Sequence, residues 1–178
     1  SYCRRSFVMD HFARLGLPAA LDLEPSQLDR AYFARQRQWH PDRFVGRPAD
    51  ERARASLEAA ALNDAYRTLK NPVDRAVYLA AVKGVELPGD GKTIDDADLL
   101  MEAMEAREAL HEADSADEVD ALAGRAREDV ASALAALASL LLQDDKPAIR
   151  KTLLRLRYLD KFAEEARARR MNLERPRP

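Results

Sequence analysis

Cysteine is almost absent: Cys3 is the only one in 178 residues. A single thiol excludes an internal disulfide framework and a cysteine-rich metal site. It suits a reducing compartment, and a cytoplasmic location is expected. Glycine is scarce as well, at six residues, and none lies in a phosphate-cradling loop or a nucleophile elbow. Aromatics make up 6% of the chain. No basic stripe is interleaved with them, which argues against a nucleic-acid partner. The longest apolar run, 130–142, is interrupted by Ser132 and Ser139. It is too short to cross a bilayer, so no membrane association is expected. Residues 1–8 carry two arginines but no apolar stretch of signal-peptide length, and read as a short extension before Met9. The three histidines, His11, His40 and His111, stand far apart with no His-x-x-x-His pair. The acidic pairs Asp95-Asp96 and Asp144-Asp145 fall at helix ends, where carboxylates serve as caps. No enzymatic activity, resident metal or cofactor is expected.

What is present is charge and helix-forming sequence. Charged residues make up 34% and hydrophobic ones 47%, with the Ala, Leu, Arg and Glu bias of a soluble helical protein. Residues 12–15 read as a short helical turn ended by Gly16 and Pro18. Pro25 opens a helix at the position where its missing N–H costs nothing, with an apolar stripe of Leu28, Ala31, Tyr32 and Trp39. Pro41 ends that helix. A polar loop, 42–49, leads to a long helix with the stripe Leu57, Leu62, Ala65, Tyr66 and Leu69, stopped by Asn71-Pro72. A short helix over 73–83 ends at Gly84. The stretch 85–92, with Pro88, Gly89 and Gly91, is the clearest linker. Helices over 95–112, 116–142 and 147–170 follow, and the Arg-Pro-Arg-Pro tail is expected to fray.

The net charge of −2 conceals an asymmetry. Residues 93–145 hold 3 basic against 15 acidic side chains, whereas residues 146–178 hold 11 against 4. Such a distribution predicts that the acidic and basic segments pair as antiparallel helices.

One tripeptide stands out. His40-Pro41-Asp42 follows a helix bearing Arg30, Arg35 and Arg37, and a second long helix after it ends in Asn63-Asp64-Ala65-Tyr66-Arg67-Thr68-Leu69. Turns commonly collect Pro and Asp, so the tripeptide alone could simply punctuate a hairpin. Its place between two helices, with the Asn-x-Ala-Tyr-x-x-Leu pattern downstream, resembles the J-domain over about residues 9–83. A proline-stiffened loop presents His40 and Asp42 with little entropy to lose on docking. The arginines offer charge-assisted hydrogen bonds to an acidic surface. Arg35 falls on the apolar stripe, where J-domains carry a Leu-like residue; it belongs either to the docking surface or to the core edge, with its stem packed and its head in water. The resemblance implies that His40, Pro41, Asp42, Arg30, Arg35 and Arg37 meet the ATPase of a DnaK/HscA-type heat-shock chaperone.

The flanking segments narrow the family. Phe12-Ala13-Arg14-Leu15-Gly16-Leu17-Pro18, Asn71-Pro72-Val73-Asp74-Arg75-Ala76-Val77-Tyr78-Leu79, the run from Asp98 to Glu108, and Leu156-Arg157-Tyr158-Leu159-Asp160-Lys161 are similar to the HscB type of J-protein. That family delivers the iron–sulfur scaffold IscU to the chaperone HscA, and the absence of zinc-binding cysteine pairs favours its bacterial type. Periodicity alone makes Leu100 and Met104 ordinary bundle core, although Leu99 and Ala103 could supply the core face instead. The family implies that Leu100, Met101, Met104, Glu105 and Glu108, with Tyr158, contact an IscU-type scaffold, and methionine suits such an adaptable surface.

The expected architecture is all-α: an N-terminal J-domain helical hairpin with flanking short helices at 9–84, a linker at 85–93, and a C-terminal three-helix bundle at 94–172. The expected function is that of a co-chaperone. The alternatives are a general J-domain protein for other clients, which would need a Gly/Phe-rich or β-rich client segment, and a structural helical interaction protein.

Overall fold

The computed structural model describes residues 10–88 and 94–174. The short extension 1–8, half of the expected linker and the Arg-Pro-Arg-Pro tail lie outside the described residues. The chain divides into two compact units, Ser1–Leu79 and Ala80–Pro178, and every regular element among the described residues is helical.

The first unit is built on α1 (His11–Leu15), α2 (Pro25–Trp39), a 3₁₀ turn (Pro41–Phe44), α3 (Ala49–Lys70) and most of α4 (Pro72–Val82). Local chemistry sets nearly every boundary. Asp10 caps α1 by accepting the N–H of Ala13, and Gly16 closes it in the left-handed region at φ 70°. Pro25 occupies the first turn of α2. Asn71 ends α3, and its carboxamide oxygen accepts the N–H groups of Val73 and Asp74 at 2.8 and 3.1 Å, which starts α4.

α2 and α3 form the hairpin, with α1 packed on both. Leu28, Ala55, Leu62, Ala65 and Leu69 are buried, together with Phe12 and Leu15 from α1. Leu57, expected on the stripe of α3, is 72% exposed instead. The buried register of α3 runs through Ala55, Leu62 and Leu69, each seven residues apart. Leu57 stands two residues from Ala55, about 200° around the helix and so on its far side.

The downstream motif now has a structural role. Ala65 and Leu69 are buried. Tyr66 stacks on Tyr32 of α2 with ring centroids 4.1 Å apart. Asn63 accepts from the Tyr32 hydroxyl at 2.7 Å, and Asp29 accepts from that of Tyr66 at 2.8 Å. The motif therefore staples the hairpin along one flank. Arg75, buried in α4, donates to the carbonyls of Leu21 and Leu69 at 2.8 and 2.7 Å, and so ties the α1–α2 connection to the end of α3.

The second unit holds α5 (Ala97–Glu112), α6 (Ala116–Gln143) and α7 (Lys146–Glu174). Asp96 caps α5, a Ser115/Glu118 capping box opens α6, and Asp145 accepts the N–H of Ala148 at the start of α7. α7 packs on both other helices. A cluster of Leu110, Ala113, Val119, Ala126, Leu159, Phe162 and Ala166 forms part of the core.

The acidic and basic segments do pair. α6 lies antiparallel to α7, with Asp120 on Arg170 at 2.8 Å and Asp129 on Arg155 at 3.7 Å. α5 pairs with α7 in the parallel sense. Asp95 meets Arg150, Glu102 meets Arg155 and Glu165 meets Arg107 in ascending order. Two tight connections between three helices require this up-down-up order.

Candidate functional site

Two surfaces emerge, one on each unit. On the first, His40 leaves α2 in an extended conformation and Pro41 opens the 3₁₀ turn. The side chains of His40 and Asp42 are 53% and 86% exposed. The Asp42 N–H donates to His40 Nδ1 at 3.3 Å, and the Asp42 carboxylate stands 3.5 Å from the same ring nitrogen. Two further bonds hold the turn to α2: the Arg43 N–H donates to the His40 carbonyl at 3.0 Å, and the Arg43 guanidinium donates to the Arg37 carbonyl at 3.3 Å.

The three expected arginines separate. Arg30 and Arg37, seven residues apart, share the outer face of α2 and are exposed. Arg35 is also exposed, but its head lies over Gly16: a Cβ placed there would sit 3.0 Å from its guanidinium. Helical spacing turns it about 140° from Arg30. Arg35 thus stands at the α1 edge of the hairpin, apart from the outward arginine pair.

Sequence reasoning passed over Phe33. This ring is 51% exposed on the same outer face, between Arg30 and Arg37. The available signal was an aromatic about 140° off the stripe defined by Leu28.

On the second unit, Leu99 and Ala103 are buried and supply the core face of α5. Met101 and Met104 are 59% and 58% exposed, Leu100 is exposed at 37%, and Glu105 and Glu108 are exposed beside them. These five share one open flank and do not belong to the bundle core. Tyr158 behaves differently. It is half-buried on α7, packs against the core cluster and donates its hydroxyl to the Glu102 carboxylate. Burial, followed by that bond, pushes its phenol well above the ordinary tyrosine range. Glu102 also accepts from Arg155 Nε at 2.9 Å. Tyr158 and Arg155 thus hold Glu102, in the turn that carries Leu100, Met101 and Met104, against α7. Among the described residues no group of three or more histidine, cysteine or acidic side chains could hold a metal ion, and no helix is long and apolar enough to cross a membrane.

An exposed His-Pro-Asp turn on an arginine-bearing helical hairpin, joined in one chain to a three-helix bundle, defines a J-domain protein of two-unit architecture. A family model described as the HSCB C-terminal oligomerisation domain matches residues 95–167. The chaperone HscB from Vibrio cholerae superimposes with a TM-score of 0.81 at 32% identity, over 93% of this chain and 99% of that one. The human co-chaperone protein HscB superimposes with a TM-score of 0.85 at 25% identity, over 96% and 90% of the two chains. The co-chaperone protein HscB of Proteus mirabilis is 41% identical over 96 residues, 54% of this chain and 56% of that protein; the match spans little more than half of the curated relative. The chain belongs to the HscB family.

Proposed function

We propose that this protein is a cytoplasmic co-chaperone of iron–sulfur cluster assembly. It stimulates the ATPase of a DnaK/HscA-type chaperone and delivers an IscU-type scaffold to it, acting as an adaptor without catalytic residues. The observation that carries the reading is the exposed His40-Pro41-Asp42 turn, stiffened by proline and flanked on α2 by Arg30 and Arg37. An acidic groove on an ATPase domain is a complementary partner, since arginines steer encounter and aim bidentate donors at carboxylates. Domain boundaries at 9–84, 85–93 and 94–172 are part of the proposal, with the scaffold carried by the open α5 flank. The names of the relatives support it, because each is called a chaperone or co-chaperone.

The test is steady-state ATP hydrolysis by a purified DnaK/HscA-type chaperone with increasing amounts of this protein. His40→Gln should remove the stimulation while leaving the melting curve in place, because His40 is exposed and packs in no core. Stimulation at the wild-type level by His40→Gln would remove the docking role from this turn.

A further inference from the structure

The tripeptide is bracketed by two aromatic rings. Trp39 immediately precedes His40, and Phe44 follows Asp42 by two residues. Their rings lie parallel, 1° apart in plane, with centroids separated by 6.0 Å. That separation is an offset stack. From α3, the guanidinium of Arg54 stands over the Trp39 ring at 5.8 Å from its centroid, within cation–π range. The turn also packs along α3. The four residues between Trp39 and Phe44 are thereby closed into a short loop whose ends are clipped to each other and to the neighbouring helix.

The side chains inside that loop have little else to hold them. Pro41 has no N–H, and among the described residues no hydrogen bond or ion pair reaches His40 or Asp42 from outside the turn and α2. A turn of four residues is too short to build a core of its own. Beyond the bonds that Arg43 makes to the carbonyls of His40 and Arg37, its orientation rests on the clip at its two ends.

We propose that Trp39, Phe44 and Arg54 are positioning residues for the docking turn, a bracket that keeps His40 and Asp42 in the geometry the chaperone engages. The proposal rests on the docking reading given above and adds to it residues outside the tripeptide and the α2 arginines. The bracket acts by population. A partner that binds only the bracketed turn sees its apparent affinity reduced by the fraction of molecules that hold it. Binding itself restores the competent geometry, so stimulation at saturation persists.

This mechanism separates Phe44 from His40 in one assay. Phe44→Ala should raise the concentration of this protein giving half-maximal stimulation of a purified DnaK/HscA-type chaperone by about tenfold, the loss expected if one molecule in ten holds the turn. Its maximal stimulation should stay at the wild-type value, and Phe44→Tyr, which keeps a stacking ring, should restore the half-maximal concentration. His40→Gln should instead lose the maximum at every concentration. Trp39 is the sole tryptophan of the chain, so its fluorescence reports the clip with no chaperone present. Acrylamide should quench it more readily in Phe44→Ala than in the wild type or Phe44→Tyr, at an unchanged melting temperature.

Unchanged half-maximal concentration in Phe44→Ala would overturn the bracket. A lowered maximum in that variant would overturn it too, by making Phe44 a direct contact. If the wild-type chain itself gives no stimulation, the docking function fails, and the bracket's role with it.

Discussion

At the scale of single residues, two positions show how much the hairpin depends on one atom group. Arg75 buries a guanidinium in α4, and burial pushes its pKa down from the ordinary arginine value, with the charge of Asp22 opposing the shift. Two backbone carbonyls, of Leu21 and Leu69, accept its hydrogen bonds in place of a carboxylate. Buried charge of this kind is tolerated only when its donors are satisfied. Gly16 is the other. Its φ of 70° closes α1, and the Arg35 head fills the space where a Cβ would go. Gly16→Ala should therefore lower stability by about 1–2 kcal/mol, chiefly through the left-handed backbone, because the crowding atom is the movable tip of a long side chain. Urea unfolding followed by helicity measures this, and a midpoint equal to that of the wild type would show that α1 ends without needing glycine.

At the scale of elements, α5 and α7 are tied at their starts by ion pairs whose titration has a defined sign. The Arg150 guanidinium holds the Asp95 carboxyl below the usual carboxylate range. The Leu99 N–H, and after it the Lys151 ammonium, do the same for Asp96. A carboxylate with a depressed folded pKa stabilises the fold above its unfolded value and loses that contribution as pH falls through the folded one. The second unit should thus weaken as pH falls from about 5 toward 3, below the ordinary Asp value near 3.9. Both groups are at the surface, so the effect per pair is small and screened by salt. Asp96→Asn keeps a good helix cap but removes the titrating charge. Its thermal midpoint should fall less steeply over that pH interval than that of the wild type. Parallel slopes for the two proteins would place the acid sensitivity in other carboxylates.

At the scale of the whole molecule, the His-Pro-Asp turn proposed to meet the chaperone and the open α5 flank lie in different compact units, so their proposed functions should separate genetically. Leu100→Ala with Met104→Ala should abolish binding of a purified IscU-type scaffold while leaving stimulation of the chaperone alone intact. Apolar anchors commonly contribute about 2 kcal/mol each, up to roughly a thousandfold together if they add. Because both side chains are exposed, the melting temperature should hardly move, as for other surface substitutions within about 0.5 kcal/mol. A large drop in melting temperature would return these residues to the core. Intact scaffold binding with an unchanged melt would place the client elsewhere.

Most of what could be read along the linear chain was punctuation. Asn71-Pro72, Pro25, Pro41, Gly16 and the Ser115/Glu118 pair set helix ends through interactions spanning a few residues, so they are readable in one dimension. The N-terminal helix boundaries fall within a residue or so of those expected, whereas α7 runs on to Glu174 rather than stopping at Arg170. The His-Pro-Asp turn was legible for the same reason, being contiguous. Which side of each helix is covered depends on how the helices pack. Periodicity gives the angle between two side chains but not the direction of the neighbouring helix. For that reason Leu57 went to solvent while Ala55 was buried, and Leu100 and Met104 were left open because Leu99 and Ala103 supply the buried face of α5. Arg35 was turned from the arginine pair toward Gly16, and Tyr158 was engaged by Glu102, 56 residues away in the chain. The Trp39–Phe44–Arg54 bracket belongs to the same class, since Arg54 reaches the turn only once α3 has packed beside it.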